Sequence, residues 1–506
     1  MPVKYPHVLS KSRFVSGAQC AKKLFLELKR KDLKPPITDS QQAIFDQGHI
    51  IGKMAQEFYP NGVDLTSQTH FDYTNAIDNT LEELRKKTNY LYEAAFYYDE
   101  VLSVLDILEH DVNGDIHAIE VKSSGSISDY YITDASLQYW VMANAGYAPK
   151  RFSLLHINSS YVKNGAINLN ELFTLTDITD RVIQKQAWVT QQIAQLKQTL
   201  QTGIEPAQEI GKHCSNPFDC DFKQYCWGNL LDKDKVFNLS NGRDKIWNLY
   251  KEGILNLADI PDGCELSHRQ RCQVNGQQTG TTYIDGKRIL QFLNKAMYPL
   301  YFFDFETVNS IIPVLNGTSP FQQIGFQYSL HIVSNLNDEP QHKEFLARSE
   351  DFANPQALNP RKAMINQMKL DFGKTGSIVS YNASFEKGVI ERLAKDFPEE
   401  APFLKDLNSR MVDLLDVFKN AWYYAPQFGK SASIKDVLPV LVPALSYKAL
   451  AINNGELANK TYLSMIDGSF NGDVDETRKN LLDYCQLDTL AMVEIWKELL
   501  RLIQTD

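Results

Sequence analysis

The chain has 506 residues, 43% of them hydrophobic and 23% charged, with a net charge of −10. That length gives a prior of about three domains, and the composition excludes wholesale disorder, collagen-like repeats and a small disulfide scaffold. No run approaches the ~18 uninterrupted apolar residues of a membrane span, and MPVKYPHVLSKSR at the start lacks a secretory apolar core, so a cytoplasmic protein without a membrane partner is expected.

The first 36 residues carry Lys4, Lys11, Arg13, Lys22, Lys23, Lys29, Arg30, Lys31 and Lys34 against only Glu27 and Asp32. Such a segment suits a phosphate backbone, or is a solvated basic face beside a core stripe. Residues 16–30 predict one helix carrying Cys20, Leu24 and Leu26, and 41–58 a second around Gly48 and Gly52. Apolar runs at 91–97, 101–108 and 116–121 predict strands, the last two separated by a turn at Asp111-Val-Asn-Gly114. Helical patterns return at 134–145 and 178–201, and the loop HCSNPFDCDFKQYCW closes a first domain spanning 1–232.

Residues 233–296 are more polar and predict a linker of short helices, in which two helices joined at Gly253 resemble a helix–hairpin–helix or a plain αα linker. From 297 to 506 strands alternate with helices: YFFDFET at 301–307, Ile324–Ile332 and Ile378–Tyr381 read as strands. Helices follow from Ser384 and from Arg478 onward, which makes this an α/β domain.

Three constellations carry chemistry. Asp106 ends one strand, and Glu120 and Lys122 alternate on another, so that a hairpin brings two carboxylates and an ammonium together. Asp106 and Glu120 are candidate ligands of Mg²⁺ or Mn²⁺, Glu93 an additional one, and Lys122 a group to position water or neutralise a phosphate. A surface hairpin with an ion pair is the competing reading. Cys20 and the triplet Cys214, Cys220 and Cys226 (C-x5-C-x5-C) supply the four thiolates of a [4Fe–4S] cluster, with tetrahedral zinc, His213 participating, as the competitor. Seven cysteines without an export signal argue against a disulfide framework, and Cys264, Cys272 and Cys485 show no ligand spacing. Asp304 and Glu306 alternate on an apolar strand, Glu386 follows a strand in N-x2-F-E, and Tyr484 and Asp488 share a helix face. Acids from three separated segments make a two-metal phosphodiester site, with Asp304, Glu306 and Asp488 as metal ligands and Tyr484 orienting water. Asp413 and Asp416 are assigned to structural support.

The segment Ser10–Cys20 with KKLFL, Asp106, Glu120-x-Lys122, Gln138 and the cysteine triplet resemble the RecB-like iron–sulfur PD-(D/E)xK nucleases. That resemblance implies a restriction-endonuclease-type domain with its catalytic centre at Asp106, Glu120 and Lys122 and a helix glutamine, Gln138, nearby. The family's G-x3-H is Gly48-x3-Gly52 here, with His49 as a neighbouring substitute, and the cysteine spacing is wider than the common C-x2-C-x5-C. The D-x-E, N-x2-F-acid and Y-x3-D motifs resemble the DnaQ-like 3′–5′ exonucleases of ribonuclease-H-like fold, with Glu386 where the family has Asp. FQQIGFQYSLH, AWYYAP and SIKDVLPVLVPALSYKALAINNG extend the resemblance to a bacterial family that fuses the two domains. It implies a nucleic-acid partner, DNA before RNA, in repair, recombination or defence, with helicase or repair proteins as further partners. An inactive nucleic-acid-binding module is the alternative.

Overall fold

The computed structural model describes residues 4–69, 73–354 and 356–504, which divide into two compact units, Met1–Gly228 and Asn229–Asp506. Both are mixed α/β, each built on its own sheet.

The first unit opens with β1 (Leu9–Ser10), α1 (Lys11–Gln19), α2 (Ala21–Lys29), α3 (Asp39–Phe58), β2 (Val63–Asp64) and α4 (Thr74–Lys86). An antiparallel meander follows, of β3 (Tyr90–Tyr98), β4 (Val101–His110) and β5 (Ile116–Lys122). Its first turn rests on left-handed Asp99 and Glu100, and its second on Gly114 at φ +78° with Asp111 Oδ1 accepting the N–H groups of Asn113 and Asp115. Helix α5 (Asp129–Asn144) crosses to β6 (Arg151–Ile157), parallel to β5, and β7 (Phe173–Asp177) closes the order β2-β3-β4-β5-β6-β7. β1 lies parallel to the start of β4, with Leu9 opposite Val101, and Lys11 follows it directly as the first residue of α1. Ala135, Leu137 and Val141 of α5 pack against Phe96, Leu105 and Leu154 to form the core.

Two helices differ from expectation. The single helix predicted over 16–30 is α1 and α2, broken at Cys20, whose backbone is extended at φ −162° and ψ 118°. The Cys20 N–H still closes on Ser16 and its carbonyl accepts from Leu24, so one residue ends one helix and begins the next. The pattern over 178–201 likewise splits into Thr179–Gln184 and Gln186–Thr202.

The second unit carries a five-stranded sheet in the order β11-β10-β9-β12-β13. Its strands are β9 (Leu300–Asn309), β10 (Gln323–Val333), β11 (Gln341–Leu346), β12 (Ser377–Ser380) and β13 (Met411–Asp413). The first three are antiparallel, and β12 and β13 run parallel to β9. β8 (Tyr283–Ile284) and β14 (Tyr423–Tyr424) form a separate ribbon. The helix Val474–Gln504 lies on the sheet with Leu481, Tyr484, Asp488, Met492 and Trp496 buried, a stripe at helical spacing.

The polar segment 233–296 sits within this second unit, at helices Arg243–Lys251, His268–Thr279 and Gly286–Leu293. Gly253, at φ +80°, ends the first of these, and a single turn at Leu257–Asp259 follows in place of a second helix. The Arg269 guanidinium fastens the segment, donating to the carbonyls of Phe418, Lys430 (3.1 Å) and Ser431 (2.8 Å). Among the described residues no helix is long and apolar enough to cross a membrane.

Candidate functional site

In the first unit the alternation of β5 puts Glu120 and Lys122 on one face. Lys122 Nζ lies 2.7 Å from Glu120 Oε1 and 2.7 Å from Asp134 Oδ2. Lys11, the first residue of α1, also places its Nζ 2.7 Å from Glu120 Oε1, and 4.0 Å from Asp134 Oδ2. Gln138, one turn after Asp134 on α5, donates its Nε2 to Glu120 Oε2 at 2.8 Å. Asp106 Oδ2 accepts the Val121 N–H at 2.6 Å, so the hairpin brings Asp106 against β5.

Glu93 holds a left-handed φ of 55° within β3, between the pairs Tyr92–Ile107 and Ala94–Leu105. A non-glycine residue there costs on the order of 1–3 kcal/mol, strain of a kind that collects at functional sites. Burial, then the charge of Glu120, pushes Asp106 up to about 8. Burial also opposes ionisation of Glu120, yet the ammonium groups of Lys11 and Lys122 outweigh it and hold Glu120 below its usual range. Burial raises Glu93, and it raises Asp134 against the two lysines. Two acceptors here are buried and unpartnered, Asp134 Oδ1 and Gln138 Oε1. His49 stands exposed on α3 and joins none of these hydrogen bonds.

The structure thus gathers Asp106, Glu120, Lys122 and Gln138, and adds two groups that the sequence reading did not place here. Asp134 had a signal, its i, i+4 relation to Gln138. Lys11 had none beyond its place in the basic segment. Much of that segment is spent on ion pairs, Lys4 with Asp78, Lys22 with Glu205 and Lys34 with Asp221 among them.

Cys20 sits at the α1–α2 break, Cys214 in the turn Lys212–Ser215 and Cys226 in the short helix Lys223–Trp227. With Cys220 they line one pocket, beside Lys22, Lys23 and His213. The neighbours of Cys20 tie the loop down, since Gln19 Nε2 donates to the carbonyls of His213 (2.8 Å) and Phe218 (2.7 Å). Burial, then the nearby Cys20 and Cys214 against the opposing Lys23, pushes the Cys220 thiol up to about 11, and burial raises Cys20 and Cys226. All four are free thiols.

In the second unit Asp304 and Glu306 lie on β9, the central strand, opposite Ser329 and Gln327 of β10. Asp488 of the last helix joins them, and one oxygen from each of the three lies within 4.8 Å of the others. Tyr447 donates its hydroxyl to Asp488 Oδ1 at 2.6 Å, and Tyr484, one turn before Asp488 on the helix, stands beside it. Glu386, in the first turn of the helix Ser384–Asp396, is buried with Oε2 unpartnered. Asn382 before that helix has φ +75°, and its N–H donates to Asp413 Oδ1 at 2.9 Å. Asp413 Oδ1 also takes the Leu415 N–H, which gives this acid the structural role expected of it.

Burial, then the charges of Asp488, Glu386 and Glu306, raises Asp304 well above the carboxylate range. Burial, then Asp488, brings Glu306 to about 8, and burial with Asp413 brings Glu386 to about 8. Asp488 reaches about 6, burial being offset by the Tyr447 hydroxyl and Lys435. Lys435 Nζ stands 5.5 Å from the Tyr447 ring centroid and 5.6 Å from that of Tyr484. Tyr447 and Lys435, which no sequence motif singles out, reach this site from the segment between Glu386 and Tyr484.

Residues 301–433 match the family described as "Domain of unknown function (DUF2779)", a span that holds Asp304, Glu306 and Glu386 but stops short of Lys435, Tyr447, Tyr484 and Asp488. The chain is 28% identical over 224 residues to "Uncharacterized protein MG366" of Mycoplasma genitalium, covering 42% of this chain and 33% of that protein. It is 29% identical over 229 residues to "Uncharacterized protein MG366 homolog" of Mycoplasma pneumoniae, with the same coverage. It is 28% identical over 217 residues to "Uncharacterized protein UU173" of Ureaplasma parvum, covering 38% and 30%. The chain therefore spans about a third of the length of these relatives. The solved structure described as "Crystal structure of SSO0001" is 12% identical, covers 45% of this chain and 87% of that one, and has a TM-score of 0.24, a likeness too low to define a fold.

Proposed function

We propose that the protein is a metal-dependent nuclease with two centres: a RecB-like PD-(D/E)xK centre in the first unit and a DnaQ-like 3′–5′ exonuclease centre in the second. The carrying observation is the acid trio, Asp304, Glu306 and Asp488, with oxygens within 4.8 Å. Carboxylates so close together, with the charge of the buried Glu386, whose Oε2 is unpartnered, also felt at Asp304, call for a cation to neutralise them. D-x-E on the central strand and an acid on the last helix also fit what the DnaQ-like motifs imply. Asp304, Glu306 and Asp488 would hold Mg²⁺ or Mn²⁺, which supplies positive charge to the phosphodiester and its leaving oxygen. Tyr484, its hydroxyl kept protonated by burial, orients water by hydrogen bonding and does not act as a base.

In the first unit Asp106 and Glu120 would hold the same type of ion, a fit supported by the unpartnered Gln138 Oε1 beside them. Lys122 is fixed by Glu120 and Asp134 with its charge at the site. Cys20, Cys214, Cys220 and Cys226 would hold a [4Fe–4S] cluster as a structural staple. Tetrahedral zinc is the competing occupant, with His213, whose Nε2 lies 3.6 Å from Cys214 Sγ, as a further donor. Iron and acid-labile sulfide content of anaerobically purified protein decides between the two.

The substrate proposed is DNA, as single strands or ends, in repair, recombination or defence in the cytoplasm, alongside partners such as a helicase. Degradation of end-labelled single-stranded DNA and RNA with Mn²⁺ tests this, using wild type, Glu120→Ala, Asp304→Ala and the double variant. Stepwise 3′-end shortening that Asp304→Ala abolishes and Glu120→Ala leaves intact is expected, and faster loss of RNA than DNA would reassign the substrate. A wild type indistinguishable from the double variant would leave a nucleic-acid-binding module as the reading.

A further inference from the structure

Glu120 is crowded. Its Oε1 takes the ammonium groups of both Lys11 and Lys122 at 2.7 Å, and its Oε2 takes the Gln138 amide at 2.8 Å. A carboxylate offers about four lone-pair sites, so three donors leave it little room to ligate a metal. The local charge is also informative. Four acids (Glu93, Asp106, Glu120, Asp134) outnumber two lysines (Lys11, Lys122), an excess of carboxyl groups that an added cation would offset.

The two lysines are not held equally. Lys122 is clamped between Glu120 and Asp134, both at 2.7 Å, and its side chain is 14% exposed. Lys11 has its one close bond to Glu120, stands 4.0 Å from Asp134, and is 32% exposed. A cation arriving at Asp106 and Glu120 repels both ammonium groups, and Lys11, with one close bond against two for Lys122 and the larger exposure, is the one better able to leave. As the first residue of α1, on a four-carbon stem, it stays beside the site when it does.

Resting on the nuclease reading above, we propose that Lys11 is a substrate-phosphate residue whose ammonium occupies the cation's place on Glu120 until metal and nucleic acid bind together. Lys11 then exchanges Glu120 for a non-bridging phosphate oxygen. No bond is made or broken and no proton moves; one ion pair replaces another. The consequence is that Lys11 opposes metal binding alone and favours it with nucleic acid, so the centre fills when substrate is there.

Mn²⁺ binding to the full-length Asp304→Ala protein, followed by the electron paramagnetic resonance of free Mn²⁺, tests this with and without a phosphorothioate-linked single-stranded oligonucleotide. Lys11→Met, which keeps the stem and removes the charge, is expected to tighten Mn²⁺ about tenfold without oligonucleotide, the coupling of one close charge pair. With Mn²⁺ saturating, it is expected to weaken the oligonucleotide about tenfold. Lys11→Arg is expected to fall between Lys11→Met and the parent on both readouts, and its near-ultraviolet circular dichroism reports whether the fold is kept. Unchanged or weaker Mn²⁺ binding in Lys11→Met, or an unchanged oligonucleotide affinity, overturns the proposal while leaving the metal centre standing. Loss of the difference between the Asp304→Ala protein and its Glu120→Ala double variant, with no Mn²⁺ bound at either, overturns the metal centre and the proposal together.

Discussion

The two units solve one electrostatic problem in opposite ways. In the first, buried acids are matched by two ammonium groups, and Glu120 stays ionised below its usual range because Lys11 and Lys122 outweigh the cost of burial. In the second, Asp304, Glu306, Glu386 and Asp488 face one another, and the cation within reach, Lys435, sits exposed over two tyrosine rings. Without a cation this group keeps protons instead, Glu306 and Glu386 reaching about 8 and Asp488 about 6. The lesson is that two clusters of similar composition need not depend on metal to the same degree. A lysine within hydrogen-bond reach of the carboxylate holds the first site together in its own right. In the second no ion pair among the described residues joins Lys435 to these acids, so the proposed divalent ion is expected to matter more there.

The largest expected effect breaks that comparison at its second term. Asp304→Ala removes an acid that touches both Glu306 and Asp488 electrostatically, and 3′-end shortening is expected to fall by about 10³-fold or more, ~4 kcal/mol of barrier. A loss under tenfold at saturating Mn²⁺ would remove Asp304 from the reaction. Next comes Cys20→Ser, which concerns only the first unit. All cluster iron and sulfide should be lost, with destabilisation of the first unit by about 3 kcal/mol, the scale of a long-loop cross-link. The exonuclease rate of the second unit should be unchanged; iron retained at the wild-type ratio would show that Cys20 is no ligand.

A third test sharpens the contrast through pH. In EDTA, Glu306 and Glu386 have folded values near 8 against their ordinary 4.5, and Asp488 about 6 against 3.8. Folded values above unfolded ones mean that the native state binds more protons, so the second unit loses stability as pH rises from about 5 to 8. Its melting temperature should drop by about 5 °C over that interval and recover with Mn²⁺. In the first unit Glu120 acts with the opposite sign, losing its contribution only as pH falls through its depressed folded value, while Asp106 near 8 partly cancels it. A second-unit transition that is flat from pH 5 to 8 in EDTA would show that these acids are already compensated.

What the sequence reveals is governed by distance along the chain. Asp304 and Glu306, Glu120 and Lys122, and Tyr484 and Asp488 are pairs at strand or helix spacing, so periodicity alone puts each pair on one face. The hairpin at Gly114 is short enough for its turn chemistry to bring Asp106 to β5. Lys11 and Glu120 are 109 residues apart and Tyr447 and Asp488 are 41, and such meetings are decided by how helices dock on the sheet. The break at Cys20 is invisible for the same reason: Ser16 to Lys29 are acceptable helix residues, and packing fixes the extended backbone at Cys20. Strand β6 is not legible in the sequence because its run, RFSLLHI, lies between two helical patterns and shows no alternation, as expected for a strand buried on both faces.

The smallest effect tests whether Tyr447 belongs to the reacting groups or to their support. Its hydroxyl donates to Asp488 Oδ1 at 2.6 Å, in a site where the Tyr484 ring also stands beside Asp488. Tyr447→Phe removes that charge-assisted hydrogen bond, so Asp488 holds its proton to higher pH. Proton and metal compete for Asp488, and the Mn²⁺ concentration for half-maximal activity should rise about threefold, more at pH 6 than at pH 8. At saturating Mn²⁺ the competition is won by the metal, and kcat should stay within about twofold of wild type. A loss of kcat that saturating Mn²⁺ does not restore would put Tyr447 in contact with substrate, and the second site would then carry two working tyrosines where the Y-x3-D motif supplies one.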